Sequence, residues 1–388
     1  MMGTALQRTI IQKGWNMKRI GKKGRMACRI CCFWVILLLL FAGAESLFIY
    51  NENECYTNVK GFYQEKRNSL DVVMAGPSEL YADYSPALAW SEYGYTSYNL
   101  AISGVPGSLY RSMLTEILKR QKPKLVVFNI SGFYWGEDSF SDWGSMHKWF
   151  DYTPFSLEKI REIGNVVPEE KRAEYLFPMI KYHGNWKKPL TLAKKAGIGT
   201  FMNWTGYSCT KGLRTYSTCN NGAGMGQVMQ TSFGDTARKE LVELLAFCKE
   251  KGLKNVLFVC FPHQAVPSDS SALSEIGDLI TEQGYDYLNL DKAFEETGIN
   301  VSQDFIDAEH LNVRGLRKLT SYLGGYLTEH YALSAEHGKK ETARWNRCSE
   351  KTRKLLEECE SELNKGTIRE FYEASIYHRT KAISVDKS

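Results

Sequence analysis

Two short stretches hold side chains whose types suit acyl-transfer chemistry. "DVVMAGPSEL" (71–80) ends an apolar run at Gly76 and lifts Ser78 onto the turn that follows. "DFIDAEHLN" (304–312) holds Asp307 and His310 in a D-x-x-H arrangement. A serine hydroxyl is a poor nucleophile until a base takes its proton. A histidine can take it, and a carboxylate can hold the imidazole in the right tautomer. Asp and His three residues apart on a turn can present both side chains to one spot. The alternative is structural: Ser and Pro are ordinary turn and N-cap residues, and the histidine is then a surface residue.

Elements that could bring these stretches together are visible in the pattern. "DVVMAG", "SYNLAISG" (ending at Gly104), "KLVVFNIS", "KNVLFVCFP" and "YDYLNLD" read as strands. Between and after them, "SLYRSMLTEILKRQKP", "TARKELVELLAFCKEKGL", "SALSEIGDLITEQG" and "HLNVRGLRKLTSYLGGYLTEHY" have helical apolar spacing, the first stopping before Pro123. Strand–helix alternation with near-continuous apolar strands predicts a parallel sheet covered on both faces. In such a sheet the loops after the carboxyl ends of the strands gather at one edge. Ser78 and the 307–310 turn both lie in such loops. The alternation breaks from about 133 to 235, a region rich in Trp, Tyr, Gly and Asn that reads as a large insertion.

The N-terminus points to a membrane. The net charge of +5 is modest, and the first 44 residues contain Lys and Arg but no Asp or Glu. The remainder is close to neutral, which gives nucleic-acid binding no electrostatic support. Residues 1–29 are a basic cytoplasmic segment in this reading, and 30–50 a transmembrane signal anchor. The main domain, 51–335, is then extracytoplasmic, with a charged helical C-terminal appendage, read as solvated, over 336–388. A signal peptide cleaved after Ala42-Gly43-Ala44 is the rival, and a buried helix of a soluble domain a third reading.

Other residues carry weaker signals. Cys209 and Cys219 flank a polar loop, where a disulfide and two unpaired thiols are both compatible with the sequence. His183 and His263 follow apolar stretches; each reads first as a structural histidine, with His263 also placed to line a pocket. Trp135, Trp143, Trp149, Trp186 and Trp204 crowd the insertion. Core packing is their default role, and binding of sugar rings the alternative. Asn203-Trp204-Thr205 matches a glycosylation acceptor, a motif too short to carry weight. There is no P-loop, dinucleotide fingerprint or metal-ligand spacing.

The blocks "DVVMAGPSEL", "SYNLAISG" and "DAEHLN", in this order and at strand ends, resemble those of the SGNH (GDSL-type) hydrolase superfamily. The similarity is to its membrane-anchored bacterial branch, which includes teichoic-acid D-alanyl transfer and polysaccharide O-acetyl transfer proteins. It covers about 70–130 and 250–330. The resemblance implies a flavodoxin-like α/β three-layer sandwich, with Ser78 as nucleophile, His310 as general base and Asp307 orienting His310. The backbone N–H groups of Ser78 and Gly104 would form the oxyanion hole. The family's third block usually supplies an asparagine donor at the end of the third strand. Here Asn129 reads as lying inside the strand, a structural polar residue first and an oxyanion donor second. The expected function is a serine esterase or O-acyltransferase acting on an acylated cell-envelope glycan, without cofactor or metal. Its partners would be the glycan or its acyl donor, the membrane, and a membrane-bound acyltransferase. The alternative is a non-catalytic scaffold of the same fold in a surface-polysaccharide assembly complex.

Overall fold

The computed structural model describes residues 22–48, 54–187, 208–333 and 336–372. The basic stretch before Lys22 and the Asn203-Trp204-Thr205 motif lie outside the described residues. Helix α1 (Lys22–Phe48) carries the apolar N-terminal run. Its Gly24–Phe41 portion is long and apolar enough to cross a membrane. The helix starts before residue 30, because nothing in Lys22–Arg29 breaks the backbone pattern.

Five short strands form one parallel sheet: β1 (Val72–Gly76), β2 (Ser97–Ala101), β3 (Leu125–Asn129), β4 (Val256–Cys260) and β5 (Asp286–Asn289). Their order is β2-β1-β3-β4-β5, with Ala75 of β1 opposite both Leu100 and Phe128. This order is shared with other doubly wound sheets. All positions of β1 to β4 are buried. Because strand side chains alternate, each strand feeds two cores. Val73, Ala75, Val126, Phe128 and Phe258 pack with α2 (Glu54–Gln64), α5 (Tyr110–Arg120), α6 (Asp235–Glu250) and α7 (Ser270–Glu282). Val72, Met74, Val127, Leu257 and Val259 pack with α3 (Ser78–Asp83), α4 (Pro86–Tyr93) and α8 (Val313–His330).

The C-terminal helix α9 (Lys339–Asn364) corrects the reading of a solvated appendage. Trp345, Cys348, Thr352, Leu356 and Cys359 are buried at helical spacing, a stripe masked in the sequence by the charges around it. Two further contacts hold the tail. Residues 214–216 pair antiparallel with 370–372. Cys348 forms a disulfide with Cys209 across 139 residues. A Cys209–Cys219 bridge is therefore excluded, and Cys219 is a free thiol. Next to the bridge, Lys211 is buried, 2.7 Å from Glu65 and over the Trp345 ring.

Candidate active site

β1 delivers Ser78 through an exit only glycine allows. Gly76 has φ +155°, and a Cβ there would lie 2.9 Å from the Asn129 Cβ. Pro77 continues in extended backbone at φ −82°, and Ser78 opens α3. Its N–H thus belongs to a helix first turn, whose donors lack intrahelical acceptors.

The D-x-x-H turn is self-closing. Asp307 Oδ1 accepts the backbone N–H groups of Glu309 at 2.8 Å and His310 at 2.9 Å. The Ile306 N–H donates to the His310 carbonyl at 2.8 Å. The turn is then bolted to α3, because Asp83 Oδ1 accepts the Leu311 N–H at 2.8 Å.

These two units bring three side chains into line. Ser78 Oγ lies 2.8 Å from His310 Nε2 across 232 residues of sequence. His310 Nδ1 lies 3.1 Å from Asp307 Oδ1 and 3.0 Å from Oδ2. Burial disfavours the imidazolium, but the Asp307 hydrogen bond and charge, with Asp83 and Glu79 behind it, raise the His310 pKa to about 9. Burial likewise pushes the Asp307 carboxyl upward, and His310 outweighs it, leaving Asp307 below the usual carboxylate value. Asp83 differs. Burial raises it well above the ordinary value, and its Oδ2 has no hydrogen-bond partner among the described residues.

Beneath Ser78 lies a buried polar network that the sequence did not announce. Glu79, 1% exposed, accepts from the Asn129 amide and from Ser131 Oγ at 2.5 Å. Its other oxygen faces His263 Nε2 at 3.2 Å. His263 Nδ1 pairs with Asp291 at 3.1 Å, and Tyr134 Oη is 3.2 Å from Nε2. Burial opposes charge on both Glu79 and His263. For Glu79 the hydrogen bond and charge of His263, with the Ser131 hydroxyl, win and lower the pKa; for His263 the Asp291 charge and hydrogen bond, joined by Cys260 and Glu79, raise it well above its ordinary value. The signal available in the sequence was an acid directly after Ser78 in an otherwise apolar helix, "SELYAD".

The remaining candidates fall into place around this frame. Asn129 ends β3 instead of lying inside it, and its side-chain carbonyl accepts the Ser131 N–H at 2.7 Å. With its amide on Glu79, it supports the layer under Ser78. His263 has a fully buried side chain and meets the site through Glu79, without touching Ser78 or His310. Gly104 follows β2 in a turn closed by Val105 N–H to Ile102 O, with φ +66°. A positive φ at the third position of such a turn favours glycine. A Cβ there would lie 3.0 Å from Ser145 Oγ, so the first insertion helix, Trp143–Phe150, packs directly on this turn. The turn is linked to the nucleophile strand by Ile102 N–H to Gly76 O at 3.0 Å. Trp149 is fully buried and Trp135 and Trp143 are partly so, whereas Trp186 is 61% exposed and Trp204 lies outside the described residues. His183 is exposed, 2.6 Å from the Ile180 carbonyl.

Cys260, His263 and Asp291 bring donor atoms within 4.8 Å of one another, a grouping with metal-ligand chemistry that spacing had concealed. These atoms already satisfy each other: Asp291 pairs with His263, and Cys260 Sγ lies 3.6 Å from Asp291 Oδ2. Burial, aided by the Asp291 charge, pushes the Cys260 thiol up to about 12, so within this network it is a neutral thiol. No protein-family model matches the chain, and no curated protein matches it.

Proposed function

We propose that the chain is a membrane-anchored serine acyl-transfer enzyme of SGNH type. The observation that carries this reading is the relay from Ser78 Oγ to His310 Nε2 at 2.8 Å and from His310 Nδ1 to Asp307 at 3.0 Å. Unreacted surface serines and histidines have no reason to meet a carboxylate in this order. The five-stranded parallel sheet with Ser78 at its carboxyl edge supports the same assignment.

In this mechanism His310 Nε2 takes the Ser78 proton as Oγ attacks an ester carbonyl. The tetrahedral oxyanion is held by the N–H groups of Ser78 and Gly104, each preorganised donor lowering the barrier by about 3 kcal/mol. His310 returns the proton to the departing alkoxide, leaving a seryl ester. A second hydroxyl, deprotonated by His310, attacks that ester and releases Ser78. Water gives hydrolysis and a bound alcohol gives transfer. With the Asn129 amide held by Glu79, the oxyanion rests on two backbone donors. This favours a bound acceptor at high effective concentration over bulk water. The acylated cell-envelope glycan, as substrate class, follows from the family resemblance and from α1.

Reaction with an activated acetyl ester tests the reading. The expected result is a burst of alcohol equal to enzyme, then slow turnover, with the acetyl group found on Ser78. Fast turnover without a burst would make the protein an ordinary hydrolase. No acetylation, or acetylation that survives Ser78→Ala, would leave the scaffold reading in its place.

A further inference from the structure

The insertion carries an exposed apolar face beside the membrane helix. α1 ends at Phe48 and α2 starts at Glu54. The five residues between them reach at most about 20 Å, so the folded body sits close to where α1 emerges. The segments that lie alongside α1 are Met179–Tyr182 and His183–Lys187 of the insertion. The Phe41 and Phe177 rings meet edge to face, with centroids 6.3 Å apart. Taking Gly24–Phe41 as the span, in place of the 30–50 expected from the sequence, puts this contact at its outer end.

Around it, Phe177 is 47% exposed, Ile180 51% and Trp186 61%. The chain is not short of aromatic packing elsewhere, since Trp149 and Trp345 are fully buried. Lys181 and Lys187 stand exposed among these side chains. Apolar side chains, a tryptophan and lysines at the end of a span match the membrane–water boundary. There aromatic rings sit at the headgroup level and lysines reach lipid phosphates.

We propose that the Phe177, Ile180 and Trp186 face of the insertion is a membrane-docking surface that seats in the outer-leaflet interface beside α1. The proposal rests on α1 spanning the bilayer and is independent of the acyl-transfer chemistry. Because the insertion leaves β3 at the sheet edge that carries Ser78, docking fixes that edge at a set height over the bilayer.

Tryptophan quenching by brominated lipids tests it. The full-length protein is placed in phosphatidylcholine nanodiscs brominated either near the headgroup end or near the methyl end of the acyl chains. Trp34, in the middle of α1, is the internal control. Trp34→Phe should remove a component quenched by the deep bromines. Trp186→Phe should remove a second component, quenched by the shallow bromines and absent from unbrominated discs. At an exposed position this substitution leaves folding intact. If the Trp34 component is present and Trp186→Phe changes no quenching, the docking surface is wrong. If the Trp34 component is absent, the spanning reading fails and the proposal falls with it.

Discussion

Asp83 Oδ1 accepts the Leu311 N–H at 2.8 Å, and through this bond the helix that begins at Ser78 holds the turn that carries His310. Nucleophile and base thus share one rigid unit although 232 residues separate them. Burial raises the Asp83 carboxyl well above its ordinary value, and what the turn takes from it is one accepting oxygen. Asp83→Asn retains an accepting carbonyl and should leave both stability and acylation rate within about two-fold, while Asp83→Ala strands the Leu311 N–H and should cost about 1–3 kcal/mol. Thermal unfolding with a parallel burst assay separates the two. Equal effects of the two substitutions would refute the acceptor role of Asp83.

The protonation of His310 sets the pH dependence. A general base must be neutral to take the serine proton. With the pKa raised to about 9, the neutral fraction grows as pH rises toward 9. The acylation rate of the free enzyme should therefore climb from pH 6 to about 9 and then level off. The stability linkage runs the other way. A raised histidine pKa stabilises the fold below its unfolded value, about 6.5, and that contribution is lost as pH passes through about 9. Asp307→Asn removes the partner that raises His310. It should move the pH limb downward and lower the plateau by orders of magnitude, since the imidazole can then hold the wrong tautomer. A limb that stays in place would mean that Asp307 does not govern His310.

The layer below Ser78 should be sensitive to single substitutions. Glu79 and His263 are a buried pair, and removing one partner leaves an uncompensated charge, typically worth about 3–5 kcal/mol. His263→Ala is expected to lower the denaturation midpoint accordingly. Glu79 has a depressed pKa, so the stability it contributes is present above the ordinary carboxylate range and lost as pH falls through the depressed value. Glu79→Gln should flatten the acid limb of the stability curve. Urea unfolding as a function of pH checks both, and an unchanged acid limb would remove Glu79 from that account.

What could be read from sequence follows from where the information is local. The five strands are short apolar runs bounded by turn residues, and each falls where its run predicts. Ser78, Asp307 and His310 could be singled out because a serine after a Gly-Pro exit and a D-x-x-H turn are compact patterns. Glu79 and Asp83 could not, since an acid on a short helix is ordinarily a solvated residue. Only the tertiary fold, which brings Asn129, Ser131 and His263 to Glu79 and the 307–310 turn to Asp83, gives them partners. The buried stripe of α9 was hidden for the same reason: its five buried positions are diluted among lysines, arginines and glutamates.

The disulfide is the clearest case of tertiary information absent from local spacing. Cys209 and Cys219 are ten residues apart, yet Cys209 pairs with Cys348 because α9 folds back over the end of the insertion. Beside the bridge, Arg344 and Lys211 both reach Glu65, so the covalent link and the ion pairs fasten the same junction of tail and body. A cross-link closing a 139-residue loop restrains the unfolded chain strongly, and losing such a bridge typically costs about 2–5 kcal/mol. Cys348→Ser should lower the melting temperature by several degrees, and reducing agent should lower the wild type to a similar value. Cys219→Ser should change neither. Since α9 packs on α4 and not on Ser78, His310 or Asp307, the burst amplitude of Cys348→Ser should survive at temperatures where the protein remains folded. A melting temperature indifferent to reductant would show that the two cysteines are not joined in the folded protein.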